Sequence, residues 1–272
     1  MIRASFIALT LCLSSVAAQA QTLSFGIVPQ QSAQKLAKKW TPILRYLSAK
    51  TGYQLKFSTA KNIPTFEQRL ADGQYDIAYM NPYHYTVFHR NPGYMAFARQ
   101  KDKRIKGIVV VHKDSPLQSL SELADQKLAF PSPAAFAASV LPRAQLTNDR
   151  IPFKASYVSS HDSVYLNVAR GYFPAGGGVM RTFNNTDAKV RDQLRILWTT
   201  KTYTPHAFAA HPSIKPEVME KLKAAFLSMN DDPEGQALLK TISFKGMQSA
   251  QDKDWDDVRG LGLSILDRLI KQ

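Results

Sequence analysis

Hydrophobic positions along the chain follow a pattern that predicts strands alternating with helices. Residues 22–28 alternate and then run apolar, which is typical of a sheet strand. Residues 33–51 repeat apolar side chains every three to four positions, and Gly52 ends this predicted helix. A second strand at 53–58, a helix at 64–71 and a third strand at 75–79 follow. Strands separated by helices at this spacing predict a parallel α/β sheet.

A second run of the same kind begins near Lys113. It contains predicted strands at 127–130, 153–158, 173–179 and 194–199, and predicted helices at 120–125, 134–146 and 161–170. Helices near 216–229, 234–240 and 253–269 close the chain.

The repeated strand-helix organisation predicts two lobes rather than one continuous sheet. Crossings near 98–112 and 200–210 would carry the chain between them, and no Ser/Gly-rich linker separates them. We predict residues 21–108 and 205–272 in lobe 1 and residues 109–204 in lobe 2.

The first twenty residues have the features of a secretory signal peptide. Arg3 gives a basic start, residues 6–16 are apolar, and Ala18-Gln19-Ala20 is a cleavage site. Residues 1–20 are therefore predicted to be removed during export to the periplasm. Cys12, the only cysteine, lies in this segment, so the mature chain is predicted to contain no disulfide.

The chain is strongly basic, with a formal charge of +14. Removal of residues 1–20 deletes Arg3 and no acidic residue, which leaves +13. The basic residues are dispersed in small sets, such as the one at 101–106, and form no stripe interleaved with aromatic residues. Nucleic acid is therefore not a predicted partner. A basic solvated surface and an attraction for small anions both stay open.

Polar or small residues collect at four junctions between a predicted strand and the following helix. Helix starts carry unpaired amide donors and the positive end of the dipole, which favour an anion. In an open α/β sheet, ligands sit past the carboxyl ends of strands. The junctions are 30–32 (QQS), 81–83 (NPY), 132–138 (SPAAFAA) and 159–161 (SSH).

Each junction could also serve the fold alone. His161 follows a serine that can cap a helix, so it is either an anion donor or a surface histidine. The alanines at 134–138 let backbone amides approach a ligand or let a helix pack closely on a sheet. The glycines at 176–178 lack a nucleotide-loop spacing and predict a strand closely approached by another backbone. Arg181 could pair with an anion or lie at the surface.

Catalytic motifs are not found. The six histidines fall in no metal-ligand spacing, and no G-x-S-x-G occurs. We therefore predict no enzymatic activity, no metal and no cofactor.

Five segments resemble, in order, one family. They are 25–30 (FGIVPQ), 40–47 (WTPILRYL), 76–85 (DIAYMNPYHY), 130–142 (FPSPAAFAASVLP) and 160–163 (SHDS). With the signal peptide, they make residues 22–269 resemble the phosphate, phosphite and phosphonate substrate-binding proteins of ABC transporters. The resemblance implies the α/β fold of type II periplasmic binding proteins, with two lobes, a two-strand hinge and an interlobe ligand cleft.

The resemblance also implies a ligand-binding set. Family members meet the ligand's oxyanion with a run of hydroxyls and amides at the helix start after Phe130, whereas this chain has Ala135-Phe136-Ala137 there. The loss of hydroxyls shifts the expected ligand from bare phosphate toward a larger, partly apolar oxyanion. The predicted ligand-binding residues are Gln30, Gln31, Tyr79, Asn81, Tyr83, Ser132, Ala135, Phe136, Ala137, Ser160, His161 and Arg181.

The function implied is that of a monomeric periplasmic solute-binding protein of an ABC importer, which binds a small anion and docks on a membrane permease. A protein of the same fold that reports ligand occupancy to a membrane signalling partner is the alternative, because both roles need the same cleft.

Overall fold

The computed structural model describes residues 20–270, which fold around two β-sheets. The predicted signal peptide lies outside the described residues except for Ala20. The first sheet contains β1 (Thr22–Ile27), β2 (Gln54–Ser58), β3 (Ile77–Met80), β4 (Met95–Gln100), β10 (Ala207–Ala210) and β11 (Met247–Ser249). The second contains β5 (Gly107–His112), β6 (Lys127–Phe130), β7 (Lys154–Tyr157), β8 (Ala175–Val179) and β9 (Leu194–Thr199).

Helices cover the faces of both sheets. They are α1 (Ala33–Thr51), α2 (Ile63–Ala71), α3 (Pro82–Phe88), α4 (Leu141–Asn148), α5 (His161–Ala169), α6 (Met180–Asn184), α7 (Ala188–Arg191), α8 (Pro216–Ser228), α9 (Pro233–Thr241) and α10 (Asp256–Arg259). None of the helices within residues 20–270 is long and apolar enough to cross a membrane.

Helix α1 has the bounds that the sequence predicts, because both of its ends are set by local chemistry. The Ser32 side chain accepts a hydrogen bond from the Lys35 amide at the start, and Gly52 adopts φ 76° at the end. Its apolar face is buried on the first sheet, where the ring of Trp40 lies 5.0 Å from the ring of Tyr79.

The prediction of parallel sheets is only partly right. The first sheet has the order β11-β4-β10-β3-β1-β2, in which β1 pairs parallel with β2 and β3 but β10 runs antiparallel to both β3 and β4. In the second sheet, β6 pairs parallel with β7 and β8, whereas β5 is antiparallel to β8 and β9. Four of the antiparallel pairs contain β5 or β10, the strands that directly follow the crossings, and β11 also pairs antiparallel with β4.

The predicted helix at 253–269 is wrong. A 3-10 turn at Asp252–Trp255 leads into α10, which ends at Gly260, and a second 3-10 turn follows at Asp267–Leu269. Gly262 has φ 61°, a conformation that interrupts a right-handed helix. The apolar spacing of this segment therefore reflects packing of short turns rather than one helix.

Two chain segments connect the sheets. Ile105 on one crossing and Tyr203 on the other form an antiparallel bridge, in which each amide donates to the other residue's carbonyl at 2.8 Å. The two crossings are therefore paired with each other where they join the sheets. Strand β5 begins at Gly107, two residues before the predicted lobe boundary.

The glycine-rich strand β8 is approached by another backbone, as predicted. A β-carbon on Gly177 would lie 1.9 Å from the carbonyl oxygen of Ala138, and one on Gly107 would lie 1.8 Å from that of Ala137. The π-helical turn Phe136–Val140, which precedes α4, therefore rests directly on the β5 and β8 backbones. This contact positions the start of that turn at the cleft between the sheets.

Candidate ligand-binding site

The predicted junctions meet between the two sheets. The ends of β1, β3 and β6 and the start of α5 surround a cavity of about 10 Å³. That volume accommodates about one water molecule, so a larger ligand requires the lobes to separate. The cavity is lined by Val28, Gln30, Ile63, Asn81, Ile105, Ala135, Phe136, Ala137, Ala138, His161, Val179 and His206.

Hydrogen bonds cross this cleft. The His161 amide donates to the Gln30 carbonyl at 3.2 Å, and the Asn81 Nδ2 donates to the Ala134 carbonyl at 3.3 Å. Beside the hinge, the rings of Phe136 and Tyr203 form an edge contact at 5.4 Å between centroids. These contacts hold the lobes together at the three strand ends.

Asn81 is oriented by its role as the N-cap of α3. Its Oδ1 accepts from the His84 amide at 2.8 Å, which leaves Nδ2 free to point at Ala134 and at the His84 ring nitrogen Nε2, 2.9 Å away. His84 Nε2 also lies 3.0 Å from a carboxylate oxygen of Glu67, and both side chains are buried. The cap therefore fixes a donor at the cleft wall.

His161 is buried at the start of α5. The preceding Ser160 caps the helix by accepting from the Ser163 amide at 3.1 Å, and the His161 Nδ1 lies 3.1 Å from the Thr182 hydroxyl. Burial, with a smaller contribution from the positive charge of Arg181, lowers the pKa of His161 to about 3. The imidazole is therefore neutral at neutral pH.

Arg181 lies at the edge of the cleft. Its guanidinium donates to the Gln30 Oε1 and sits 6.0 Å above the ring of Tyr79, which in turn stacks on His206 with 5.0 Å between centroids. Arg181 and Tyr79 line a second cavity of about 100 Å³ that adjoins the first. A cation, an aromatic ring and an imidazole thus follow one another along the cleft.

The structure brings eight predicted residues to these two cavities. Gln30, Asn81, Ala135, Phe136, Ala137 and His161 line the first, and Tyr79 and Arg181 line the second. The remaining four do not line them.

Three of these four side chains have other contacts. The Tyr83 hydroxyl accepts from the Leu266 amide at 3.0 Å in a pocket elsewhere on lobe 1, so its placement in the cleft is wrong. Gln31 donates to Asp162 at 3.4 Å, and Ser160 is engaged in capping. Ser132 is buried, and its hydroxyl has no hydrogen-bond partner among the described residues. A strand-end position alone does not specify the direction of a side chain.

Ala138, part of the predicted junction 132–138, also lines the first cavity. Sequence reasoning missed five residues there: Val28, Ile63, Ile105, Val179 and His206. Four are apolar and carry no chemical signal. His206 follows the second crossing and belongs to no motif, so only the fold places it beside His161.

The alanine-rich start of the π-helical turn packs closely on the sheet, which is one of the two uses that the sequence left open. The Ala137 and Ala138 carbonyls lie so close to Gly107 and Gly177 that any side chain at those two strand positions would collide with them. The amides of Phe136, Ala137 and Ala138 head the turn, where backbone N–H groups have no partner within a helix. The turn can therefore present donors to an anion without any hydroxyl.

Comparisons with known proteins identify relatives over most of the chain. Residues 25–255 match the family described as ABC transporter, phosphonate, periplasmic substrate-binding protein. The phosphate-import protein PhnD of Mycolicibacterium smegmatis is 23% identical over 240 residues, which cover 76% of this chain and 71% of that protein. The phosphonates-binding periplasmic protein of Escherichia coli is 21% identical over 260 residues, covering 90% and 77%.

Solved structures share the fold. A binding protein component of an ABC phosphonate transporter from Pseudomonas aeruginosa superimposes with a TM-score of 0.83 at 19% identity, covering 92% of this chain and 88% of that one. PhnD1 from Prochlorococcus marinus, in complex with methylphosphonate, superimposes with a TM-score of 0.82 at 20% identity, covering 89% and 97%. The predicted two-lobed type II periplasmic binding protein fold is confirmed.

Proposed function

Because the chain belongs to the family of periplasmic phosphonate-binding proteins of ABC transporters, we propose that it binds a small phosphonate or related organic oxyanion between its lobes. The observation that carries this proposal is the convergence of donors from both lobes on one cavity. The amides of residues 136–138 and the His161 ring come from lobe 2, and the Asn81 amide group comes from lobe 1.

The electrostatics of the cavity support an anion. None of the described residues that line it is acidic. Backbone amides and neutral side-chain donors in a desolvated cleft stabilise an oxyanion strongly, because water does not compete for them. Ala135 and Phe136 give this wall an apolar surface that could contact an apolar substituent once the lobes separate.

We further propose the steps that surround binding. The chain is exported to the periplasm and cleaved after Ala20, lobe 1 is formed by residues 21–108 and 205–272, and lobe 2 by residues 109–204. The lobes open at the crossings around the Ile105–Tyr203 bridge and close on the ligand. The closed monomer then docks on a membrane permease. No observation favours the signalling alternative.

Binding is tested with the mature chain, residues 21–272. We expect methylphosphonate at a hundred times its Kd to stabilise the fold by about 2.7 kcal/mol and so to raise the melting temperature by roughly 5–10 °C. Its neutral dimethyl ester, matched in shape at the phosphorus, is expected to cause no shift. A folded protein whose melting temperature responds to neither phosphonates, phosphite nor phosphate would contradict the proposal.

His161→Gln tests the site itself. We expect at least a tenfold loss of methylphosphonate affinity by calorimetry, since one donor to a charged group contributes about 1.5–3 kcal/mol. The matched control is His112→Gln, because His112 lies at the end of β5 with a side chain that is 34% exposed. Equal affinities of the two variants would remove His161 from the ligand contacts.

A further inference from the structure

A basic cavity adjoins the proposed oxyanion cavity. It has a volume of about 100 Å³, and it shares Ile105, Val179 and His206 with the smaller cavity. None of the described residues that line it is acidic. Four have a positively charged side chain: Lys103, Arg104, Lys106 and Arg181. Three of these four come from the first crossing and one from the start of α6.

Only one of the four cations has an anionic partner among the described residues. Arg104 forms an ion pair with Asp257 at 2.7 Å. Within residues 20–270, no carboxylate oxygen lies within 4.0 Å of the charged nitrogens of Lys103, Lys106 or Arg181. Burial, and then the like charges of Arg181, Lys106 and Lys245, lower the pKa of Lys103. Partly buried cations beside one another are unfavourable unless an anion joins them.

His206 provides a second and independent sign of a ligand. Its side chain is 4% exposed, and its Nε2 has no hydrogen-bond partner in the described part of the chain. The ring is fixed by stacking on Tyr79 and lies at the wall common to both cavities. Buried polar atoms are normally paired, so an unpaired nitrogen on a residue that lines both cavities indicates a group that completes it.

The charge of the cavity discriminates between ligand classes. An ammonium group would meet three cations that have no acidic partner among the described residues, and it would be repelled. A neutral alkyl group would leave Lys103, Lys106 and the His206 nitrogen without a partner. A carboxylate or a second phosphoryl group would pair with the cations and could be held by the planar guanidinium of Arg181 in a bidentate manner.

Building on the proposed function, we infer that the physiological ligand is a phosphonate with a second anionic group. The first cavity holds the phosphonate oxygens, and Lys103, Lys106 and Arg181 hold the second anion in the basic cavity. The cavity has space for a group of a few heavy atoms, such as a carboxymethyl substituent. Two of the three cations lie on a crossing segment, so the second anion also contacts the hinge.

Calorimetry with three phosphonates of the same head group tests this inference on the mature chain. We expect phosphonoacetate to bind about tenfold more tightly than methylphosphonate, and 2-aminoethylphosphonate to bind more weakly than either. Added salt is expected to reduce the preference for phosphonoacetate. Equal affinities, or tightest binding of the aminophosphonate, would overturn the inference and leave the proposed function intact. Absence of binding by all three would instead contradict the proposed function.

Substitutions of the lysines that line the basic cavity test whether this cavity causes the preference for phosphonoacetate. In Lys103→Gln and Lys106→Gln, we expect the ratio of the methylphosphonate Kd to the phosphonoacetate Kd to fall from about ten to between one and three. Lys101→Gln is the matched control, because Lys101 is exposed and does not line the cavity. Melting temperatures without ligand should not fall in the variants, since each removes a repelled charge. A ratio that stays at ten in both variants would overturn the assignment.

Discussion

Alanine at position 177 is expected to destabilise the protein by about 3 kcal/mol. The added β-carbon would lie 1.9 Å from the Ala138 carbonyl oxygen and 2.8 Å from the ring of Phe130. The nearest atom belongs to backbone, which cannot rotate away as a side chain could, so the π-helical turn must lift off β8. Gly177 does not have a positive φ, so alanine can adopt its backbone conformation without strain. The loss of stability therefore measures the steric collision alone.

Urea unfolding of Gly177→Ala measures this effect, with a fall in melting temperature of roughly 6–12 °C as the thermal counterpart. Gly260→Ala is the control, because the nearest atom to its β-carbon is 3.4 Å away and its φ of −59° is helical. That variant should change stability by no more than about 0.5 kcal/mol. If the two variants were equally stable, the turn would not rest on β8 as described.

A steep loss of stability below pH 6.5 is the second large effect that we expect. Burial lowers the pKa of His161 to about 3 and that of His206 well below its usual value, with Arg181 as a further cause in both. Histidines in the unfolded chain have a pKa near 6.5. Between these values the unfolded chain binds more protons than the folded one, so the free energy of unfolding falls as the pH falls.

The slope for each histidine approaches about 1.4 kcal/mol per pH unit once the pH lies well below 6.5. From pH 6.5 to pH 5 the two residues together should lower the free energy of unfolding by about 3 kcal/mol, in a range above the usual titration of carboxyl groups. Unfolding free energies measured at several pH values check this for the unsubstituted chain. His206→Gln should remove about half of the slope, whereas His112→Gln should leave it unchanged. A slope that is the same in all three proteins would mean that His206 is not a cause of the pH dependence.

Much of the fold could be predicted from local signals. The bounds of α1 were predictable because a capping serine and a terminal glycine mark its ends, and the bounds of β6 and β9 agree with the predicted strands at 127–130 and 194–199. The close approach to Gly177 was predictable because a strand of glycines has no side chains to keep a neighbouring backbone away. The C-terminal segment was wrongly predicted because its apolar spacing suits a helix, whereas Gly262 adopts φ 61° and interrupts it.

Some residues of the candidate site could also be predicted from local signals, and others could not. Asn81 and His161 each combine a strand end, a helix start and a capping residue, so their chemistry is evident from a few consecutive positions. Tyr83 has the same signals, but its side chain leaves the cleft to meet Leu266, which is distant in the chain. The direction of a side chain at such a junction depends on what packs against it.

The sequence by itself determined the family and the succession of strands and helices, because both depend on neighbouring residues. It also determined that residues 135–137 have no side-chain hydroxyl, so that any hydrogen-bond donor there is a backbone amide. Only the tertiary structure decided which cations face the ligand. Lys103 and Lys106 belong to one crossing, His206 follows the other, and Arg181 follows β8. Two sheets and their paired crossings bring these residues to one cavity, and no local pattern specifies a contact between positions about a hundred residues apart.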